Sequence, residues 1–303
     1  MDFVLTLIAN PREPAIDRQL VDALRAALGD IGAATQPANW LGRERRLALA
    51  CDIAFGGIAE ADAEAQARRL VAGRPIDVAA LPVAHRRKRL LVADMDSTMI
   101  EVECIDELAA VVGRRAEVAA ITERAMKGEL DFAGALRERA MLLRGIGTDV
   151  FATVYAERVR LMAGGRTLVA TMRAHGAYTA LVSGGFSEFT SRVREALDFH
   201  VDHANRLKVA DGRLTGEVEE PISGASAKLA ILRRLTEERG LAVADTLAVG
   251  DGANDVPMIE AAGLGVAYRA KAVAASAARA RIDHGDLTAL LYLQGYRRSE
   301  FVE

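Results

Sequence analysis

The sequence predicts an α/β protein: an open parallel sheet flanked by helices, with a small helical insert over it and a separate α+β unit ahead of it. Three observations carry this reading. Short apolar runs at Leu90–Ala93, Tyr178–Val182 and Thr246–Val249 have the length and near-unbroken hydrophobicity of strands buried on both faces. Each run ends in acids, hydroxyls or glycines: Asp94-Met95-Asp96-Ser97-Thr98, Ser183-Gly184-Gly185-Phe186 and Gly250-Asp251-Gly252-Ala253-Asn254-Asp255. The stretches between them have helical spacing, the alternation that builds parallel sheets.

Residues 1 to about 82 follow another order. Phe3–Ile8 is a short apolar run; Pro14–Leu28 places Ile16, Leu20, Leu24 and Leu28 at helical spacing, with Gly29 near the stop. A weaker strand is expected near Ala33–Trp40 and a firmer one at Leu47–Phe55, followed by a helix at Ala61–Val71 and a strand at Ile76–Val83. The order β-α-β-β-α-β is that of a ferredoxin-like split unit and resembles, in topology, the ACT domain. That likeness implies a regulatory or dimerising module over residues 1–84 and leaves open serine binding and a homodimer. The first strand-to-helix loop, Asn10-Pro11-Arg12-Glu13, lacks the glycine typical of a ligand-binding ACT loop, so a purely structural role stands equally.

Composition excludes several function classes. Of the 303 residues 51% are hydrophobic and 5% aromatic, and so few rings do not suit base stacking on single-stranded nucleic acid. The net charge of -3, from 39 basic and 42 acidic residues, offers no overall attraction to nucleic acid or anionic membrane. No run approaches the roughly 18 apolar residues of a membrane span, and the N-terminus has no basic leader. The two cysteines, Cys51 and Cys104, make neither a disulfide framework nor a zinc spacing, so the expected location is a reducing cytoplasm. The basic run His85-Arg86-Arg87-Lys88-Arg89 reads as a solvated linker face where the second unit, 85–303, begins.

Asp94 and Asp96 stand two residues apart at the end of a buried strand, where two like charges repel unless a cation or a shared proton relieves them. The pair reads as a metal and acid-base site; alone, it also fits a turn that caps the next helix. The pattern then becomes helical at Glu101–Val112, Val118–Lys127, Phe132–Leu143 and Thr148–Val159, with stops at Gly113, Gly128 and Gly145-Ile146-Gly147. This insert, about residues 101–163, is placed to be a lid that excludes water from the strand ends.

A helix at Thr167–His175 precedes the strand that runs into Ser183-Gly184-Gly185, and a helix at Glu188–Leu197 follows. Backbone N–H groups, a hydroxyl and a helix start there make an anion cradle; a nucleophile elbow is excluded because G-x-S-x-G is absent. Asn205–Ala210 and Arg213–Val218 joined by Asp211-Gly212 read as a hairpin. Lys228 falls in a helix starting near Ser226. In Gly250–Asp255 an acid stands where a dinucleotide loop needs a third small residue, so carboxylates with glycine and asparagine point to a hard divalent cation. A strand at Gly263–Ala267 and helices at Val273–Ala280 and Leu287–Leu293 complete the unit.

These segments, in this order over roughly residues 88–290, resemble the haloacid dehalogenase (HAD) superfamily of phosphatases, and within it the chain is similar to the phosphoserine phosphatase family. The resemblance implies a Rossmann-like core with a small helical cap. It implies hydrolysis of O-phospho-L-serine to serine and phosphate through an aspartyl-phosphate, the last step of serine biosynthesis. It further implies Asp94 as nucleophile, Asp96 as general acid and base, and Mg2+ held by Asp94, the Asp96 main-chain carbonyl and Asp251. Ser183, Gly184 and Lys228 would hold the phosphoryl oxygens, with Asn254 and Asp255 in support. Glu103, nine residues after Asp94, would take the substrate ammonium, and Arg139, at the end of Asp131-Phe132-Ala133-Gly134-Ala135-Leu136-Arg137-Glu138-Arg139, its carboxylate. Met126 and Phe132 would shield the ligand.

Three rival readings remain. The runner-up is another small-molecule phosphatase or phosphotransferase of the superfamily, acting for instance on phosphohomoserine: Glu103 and Arg139 both bear on an amino-acid substrate, but neither fixes its side-chain length. An amino-acid sensor built on a dead phosphatase is opposed by the intact Asp94, Asp96, Lys228 and Asp251. An ion pump using the same aspartyl chemistry fails for want of a membrane span.

Overall fold

The structure, a computed structural model, describes residues 1–44, 47–126 and 129–303, and for Arg43, Glu44 and Met126 the backbone alone. The helix stop expected at Gly128 and the Met126 side chain therefore lie outside what is described.

The N-terminal unit comprises β1 (Phe3–Ala9), α1 (Arg18–Asp30), β2 (Ala34–Thr35), β3 (Asn39–Glu44), β4 (Leu47–Gly56), α2 (Glu60–Leu70) and β5 (Ile76–Pro82). Its sheet is antiparallel, ordered β2-β4-β1-β5, with β3 also paired to β4. The weak stretch before Trp40 thus divides into two short strands on one edge. Alternation along the strands explains why they read as continuous apolar runs. Leu5, Leu7 and Ala9 face α1 and α2, whereas Ile8, Leu49, Ala79 and Leu81 join the core of the second unit.

That second unit opens with β6 (Leu90–Asp94). The helical insert follows as α3 (Cys104–Val111), α4 (Arg115–Met126), α5 (Phe132–Met141) and α6 (Val150–Arg158). The chain returns through α7 (Gly165–Ala174), β7 (Tyr178–Phe186), α8 (Ser187–Leu197) and β8 (Val201–Asn205). A hairpin, β9 (Leu207–Ala210) and β10 (Arg213–Val218), leads to α9 (Ala225–Glu238), β11 (Thr246–Gly250), α10 (Val256–Ala261), β12 (Leu264–Tyr268), α11 (Ala272–Ala277), β13 (Ala280–Ile282) and α12 (Ala289–Leu293). The sheet is parallel with order β13-β12-β11-β6-β7-β8, so β6 is central and the β11 and β7 ends flank it. Two strands, β8 and β13, were not expected. Val201-Asp202-His203-Ala204-Asn205 is a half-exposed edge with no apolar run, and β13 has three residues. Asn205 accordingly ends β8 and does not begin the hairpin. Ser183-Gly184-Gly185 lies inside β7, which continues to Phe186. The hairpin turn is as expected, with Asp211 and Gly212 at φ 50° and 71°.

The basic run at 85–89 is solvated only in part: His85, Arg87 and Arg89 are exposed, whereas Arg86 and Lys88 turn inward. Arg86 clasps Asp52 with Nη1 and Nη2, at 2.6 and 2.7 Å, and donates further to Thr6 Oγ1 and to the carbonyls of Tyr292 and Leu293. Lys88 is buried, its Nζ donating to Ala244 O at 2.7 Å. From the other side Asp77 on β5 accepts the backbone N–H groups of Asp283, His284 and Gly285. Tyr292 of α12 leans on Gly42, where a Cβ would sit 2.6 Å from its hydroxyl. Buried polar clasps whose partners are all satisfied fix one arrangement of two units. Periodicity within single segments could not reveal them, because the partners lie up to some 200 residues apart.

Candidate active site

Three strand ends meet at the carboxyl edge of the parallel sheet, where open α/β sheets place ligands. Val249 pairs with Ala93, and Asp94 with Val182, so Gly250-Asp251 and Ser183 lie on either side of Asp94. The helix α9 brings Lys228 in from beneath. Its Nζ is fully buried and donates to Asp94 Oδ1 at 2.5 Å and to Asp255 Oδ1 at 2.6 Å. The other oxygen of Asp255 accepts the N–H groups of Asp251 and Gly252 at 3.1 and 3.0 Å. A side chain on Gly250 would collide with Asp255, its Cβ lying 2.3 Å from Cγ, which accounts for glycine there.

Asp96 Oδ1 accepts the Cys104 N–H at 2.9 Å and Oδ2 the Ser183 hydroxyl at 2.9 Å, so one carboxylate joins the start of the insert to the cradle. Ser183 Oγ in turn accepts the Gly185 N–H at 2.8 Å. Ser97, in the left-handed region at φ 57°, donates its hydroxyl to Glu103 Oε1 at 2.9 Å. Phe132 packs against the cradle: a Cβ on Gly184 would be 2.8 Å from its Cζ, and one on Gly224 2.9 Å from its Cδ1. The amide of Asn254 is next to Gly184, 3.9 Å from the same position. Arg139, on the last turn of α5, donates Nε to Ala135 O at 3.2 Å.

The electrostatics follow from one ammonium serving a cluster of acids. Burial raises the Asp94 carboxyl well above its ordinary range; Asp255 and Asp96 add to this and Lys228 opposes it. Burial also raises Asp251, with Lys271 opposing. Burial alone would lower Lys228, but Asp94 and Asp255 outweigh it and hold its ammonium charged. Burial and the repulsion of Asp96 push Glu103 up to about 7. Burial lowers Arg139, offset in part by Asp106, Glu103 and Asp96. Asp94, Asp251 and Asp255 each offer an oxygen within 4.8 Å of the others, all buried. Excess buried negative charge on an all-oxygen donor set fits a hard divalent cation.

Sequence reasoning missed two residues here. Asn205, buried, donates Nδ2 to Gly184 O and Ser223 O and accepts the Ser223 N–H, tying the cradle to the loop before α9. Lys271 places Nζ 3.4 Å from Asp251 Oδ2 and its backbone N–H on Asp251 O at 2.9 Å. Neither lies in a recognisable motif: Asn205 ends an edge strand that has no apolar run, and Lys271 follows the end of β12, the one signal available.

The family model of haloacid dehalogenase-like hydrolases matches residues 91–260, more than half of the chain. A phosphoserine phosphatase of Streptomyces coelicolor is 43% identical over 228 residues, 75% of this chain and 55% of that one. Across the first such relatives this chain spans 55 to 60% of their length. Among solved structures, a HAD family hydrolase from Salmonella enterica serovar Typhi superposes with TM-score 0.81 at 28% identity, covering 96% of this chain and 98% of its own. A probable phosphoserine phosphatase from Vibrio cholerae superposes with TM-score 0.78 at 29% identity, covering 97% and 86%. Both matches take in the N-terminal unit.

Proposed function

The chain belongs to the haloacid dehalogenase-like hydrolase family, and on that premise we propose that it is a phosphomonoester hydrolase that releases phosphate from O-phospho-L-serine, the closing step of serine biosynthesis. The observation that carries the reading is the buried cluster in which Lys228 bridges Asp94 and Asp255 while Ser183 bonds Asp96. In this reading an Asp94 oxygen attacks phosphorus in line; the new O–P bond forms as the bond to the seryl oxygen breaks. Asp96 delivers a proton to that leaving oxygen. It then takes one from the water whose attack on phosphorus frees Asp94 and inorganic phosphate. Ser183, the Gly184 N–H and Lys228 hold the phosphoryl oxygens as charge shifts among them.

Asp94, Asp251 and the Asp96 main-chain carbonyl are the residues assigned to Mg2+. When bound, the ion supplies positive charge that lessens repulsion between carboxylate and phosphate. Asp255, with both oxygens engaged by Lys228 and two N–H groups, is assigned to orienting Lys228. Glu103 is assigned the substrate ammonium and Arg139, whose planar fork suits a carboxylate, the substrate carboxylate. Phe132 and Met126 are assigned to covering the ligand, and Asn254 to supporting the cradle. The helices of 101–163 act as a lid on the HAD domain, 85–303.

For residues 1–84 we favour a buttressing role. One face of its sheet packs on the second unit and the Arg86 and Asp77 clasps hold it there, which leaves serine little access to that face. Among the described residues no helix is long and apolar enough to cross a membrane. Both cysteines are free and buried, consistent with a cytoplasmic enzyme. The test is steady-state hydrolysis of L-phosphoserine, phosphohomoserine and phosphoglycolate with Mg2+. Preference for phosphoserine is expected; preference for either of the others would move the substrate.

A further inference from the structure

The Phe132 ring rests on Gly184 and Gly224, so a ligand reaches the cradle only when α5 withdraws. Besides the contacts over the site, the edge-on packing of Phe151 on Phe189 of α8, the Tyr155 hydroxyl on Arg192 O at 3.4 Å and the Arg137–Glu220 pair, the lid's backbone is tied to the rest of the chain in two places. At its base two extended segments cross: Ile100 bridges Leu161, Glu101 N–H donates to Arg160 O at 3.0 Å, and Met162 N–H to Met99 O at 2.9 Å. At its far side the link between α5 and α6 joins the β9–β10 hairpin through one isolated antiparallel bridge and its flanking hydrogen bonds. Gly147 bridges Arg213, with Leu214 N–H on Ile146 O at 2.9 Å, Thr148 N–H on Gly212 O at 3.1 Å and Gly145 N–H on Leu214 O at 2.8 Å.

The hairpin is bound far more to the lid than to the sheet it emerges from. Arg213 Nη1 donates to Gly145 O at 2.8 Å. Gly216, at φ 81°, lies so close to the end of α5 that a Cβ would stand 3.0 Å from Arg144 Cβ and 3.2 Å from Met141 Cα. Leu207, Leu214 and Val218 are buried in a cluster shared by Leu136, Leu143, Val150 and Phe151 of the lid and by Phe186 and Phe189 of the core, and it is α5 of the lid that lies along β10. Among the described residues, every hydrogen bond of 207–218 stays within the hairpin or goes to the lid. Parting the two would strand backbone groups and expose apolar surface together.

We infer that the β9–β10 hairpin is a moving part of the lid: helices α3 to α6 and the hairpin open and close over the site as one body. The pivots are the crossing at 99–101 with 160–162 and the hairpin's two ends, at Arg206 and Glu219. Asn205, adjacent to one end, holds Gly184 and Ser223, so each opening also bears on the cradle and on the loop leading to Lys228. This inference rests on the proposed phosphatase reading, which requires entry and release.

Gly147 and Arg213 form a non-hydrogen-bonded antiparallel pair, the geometry in which facing side chains come closest. The double variant Gly147→Cys/Arg213→Cys, oxidised, locks the strap shut. Turnover of L-phosphoserine within about twofold of the reduced form is expected. Loss of turnover on oxidation, restored by dithiothreitol, would overturn the inference, because the strap would then have to release. A wild-type chain without activity on L-phosphoserine would instead count against the phosphatase reading. Amide exchange in the wild-type chain then decides the strap by itself. The Gly145, Thr148 and Leu214 amides are expected to be equally protected with and without Mg2+ and inorganic phosphate. Protection appearing only with phosphate would overturn the one-body lid.

Discussion

Replacing Lys228 with Met tests the charge balance on which the site is built. The ammonium is 1% exposed and stands 2.5 Å from Asp94 and 2.6 Å from Asp255, which are themselves 4% and 0% exposed. Methionine fills a similar volume but leaves two buried carboxylates facing each other. Removing one partner of a buried ion pair costs about 3–5 kcal/mol, which in a chain of this size lowers Tm by on the order of 10 °C. The loss is largest in EDTA. Saturating Mg2+ replaces part of the missing charge, so the rise in Tm on adding it exceeds that of the wild type. Phosphate release drops by about 10²–10³, as when one donor to a developing oxyanion is removed. Differential scanning calorimetry with and without Mg2+, with near-ultraviolet circular dichroism as a check on packing, measures all but the last. A variant as stable as wild type in EDTA and no more responsive to Mg2+ would refute the reasoning.

Further outcomes follow from other parts of the site. Gly224→Ala pushes a methyl to within 2.9 Å of Phe132, and the overpacking, about 1–3 kcal/mol, lowers kcat/KM tenfold or more; the same change in a Phe132→Leu background costs much less. Glu103 binds an ammonium only as carboxylate, so with its carboxyl held at about 7, kcat/KM for phosphoserine climbs with pH to about 7 and then levels. Glu103→Gln removes that limb and spares phosphoglycolate, which has no ammonium. Because folding raises this carboxyl from 4.5 to about 7, its protonated form favours the native state, and its contribution to stability is lost as pH rises from about 4.5 to about 7. Arg86→Met leaves Asp52 buried without its partner and costs about 3 kcal/mol, read as a lower midpoint in urea, while kcat below the transition stays within twofold.

Asp94, Ser183 and Asp251 were legible in the sequence because each lies at or after a short strand with an unmistakable hydrophobic pattern, and chemistry restricts what can follow; Lys228, inside α9, was picked out only by its place after the hairpin and before the next strand. Parallel strands bring such ends together whatever the length of chain between them. The two edge strands were not legible, since half-exposed Val201–Asn205 carries no apolar signal. Nor were Arg86 and Lys88, where a run of charges reads as solvent-facing until their buried partners are known. Asn205 and Lys271 belong to the same class, as their meaning lies in contacts with Gly184 and Asp251 that no local pattern encodes.

The most direct measurement is an acid-quenched single turnover of phosphoserine labelled in its phosphate, in the presence of Mg2+, on the wild type and on Asp94→Asn. The account predicts label on the peptide that contains Asp94, released by hydroxylamine as an acyl phosphate, with neither label nor phosphate release in Asp94→Asn. Phosphate release that persists in Asp94→Asn, or label carried by another residue, would contradict it.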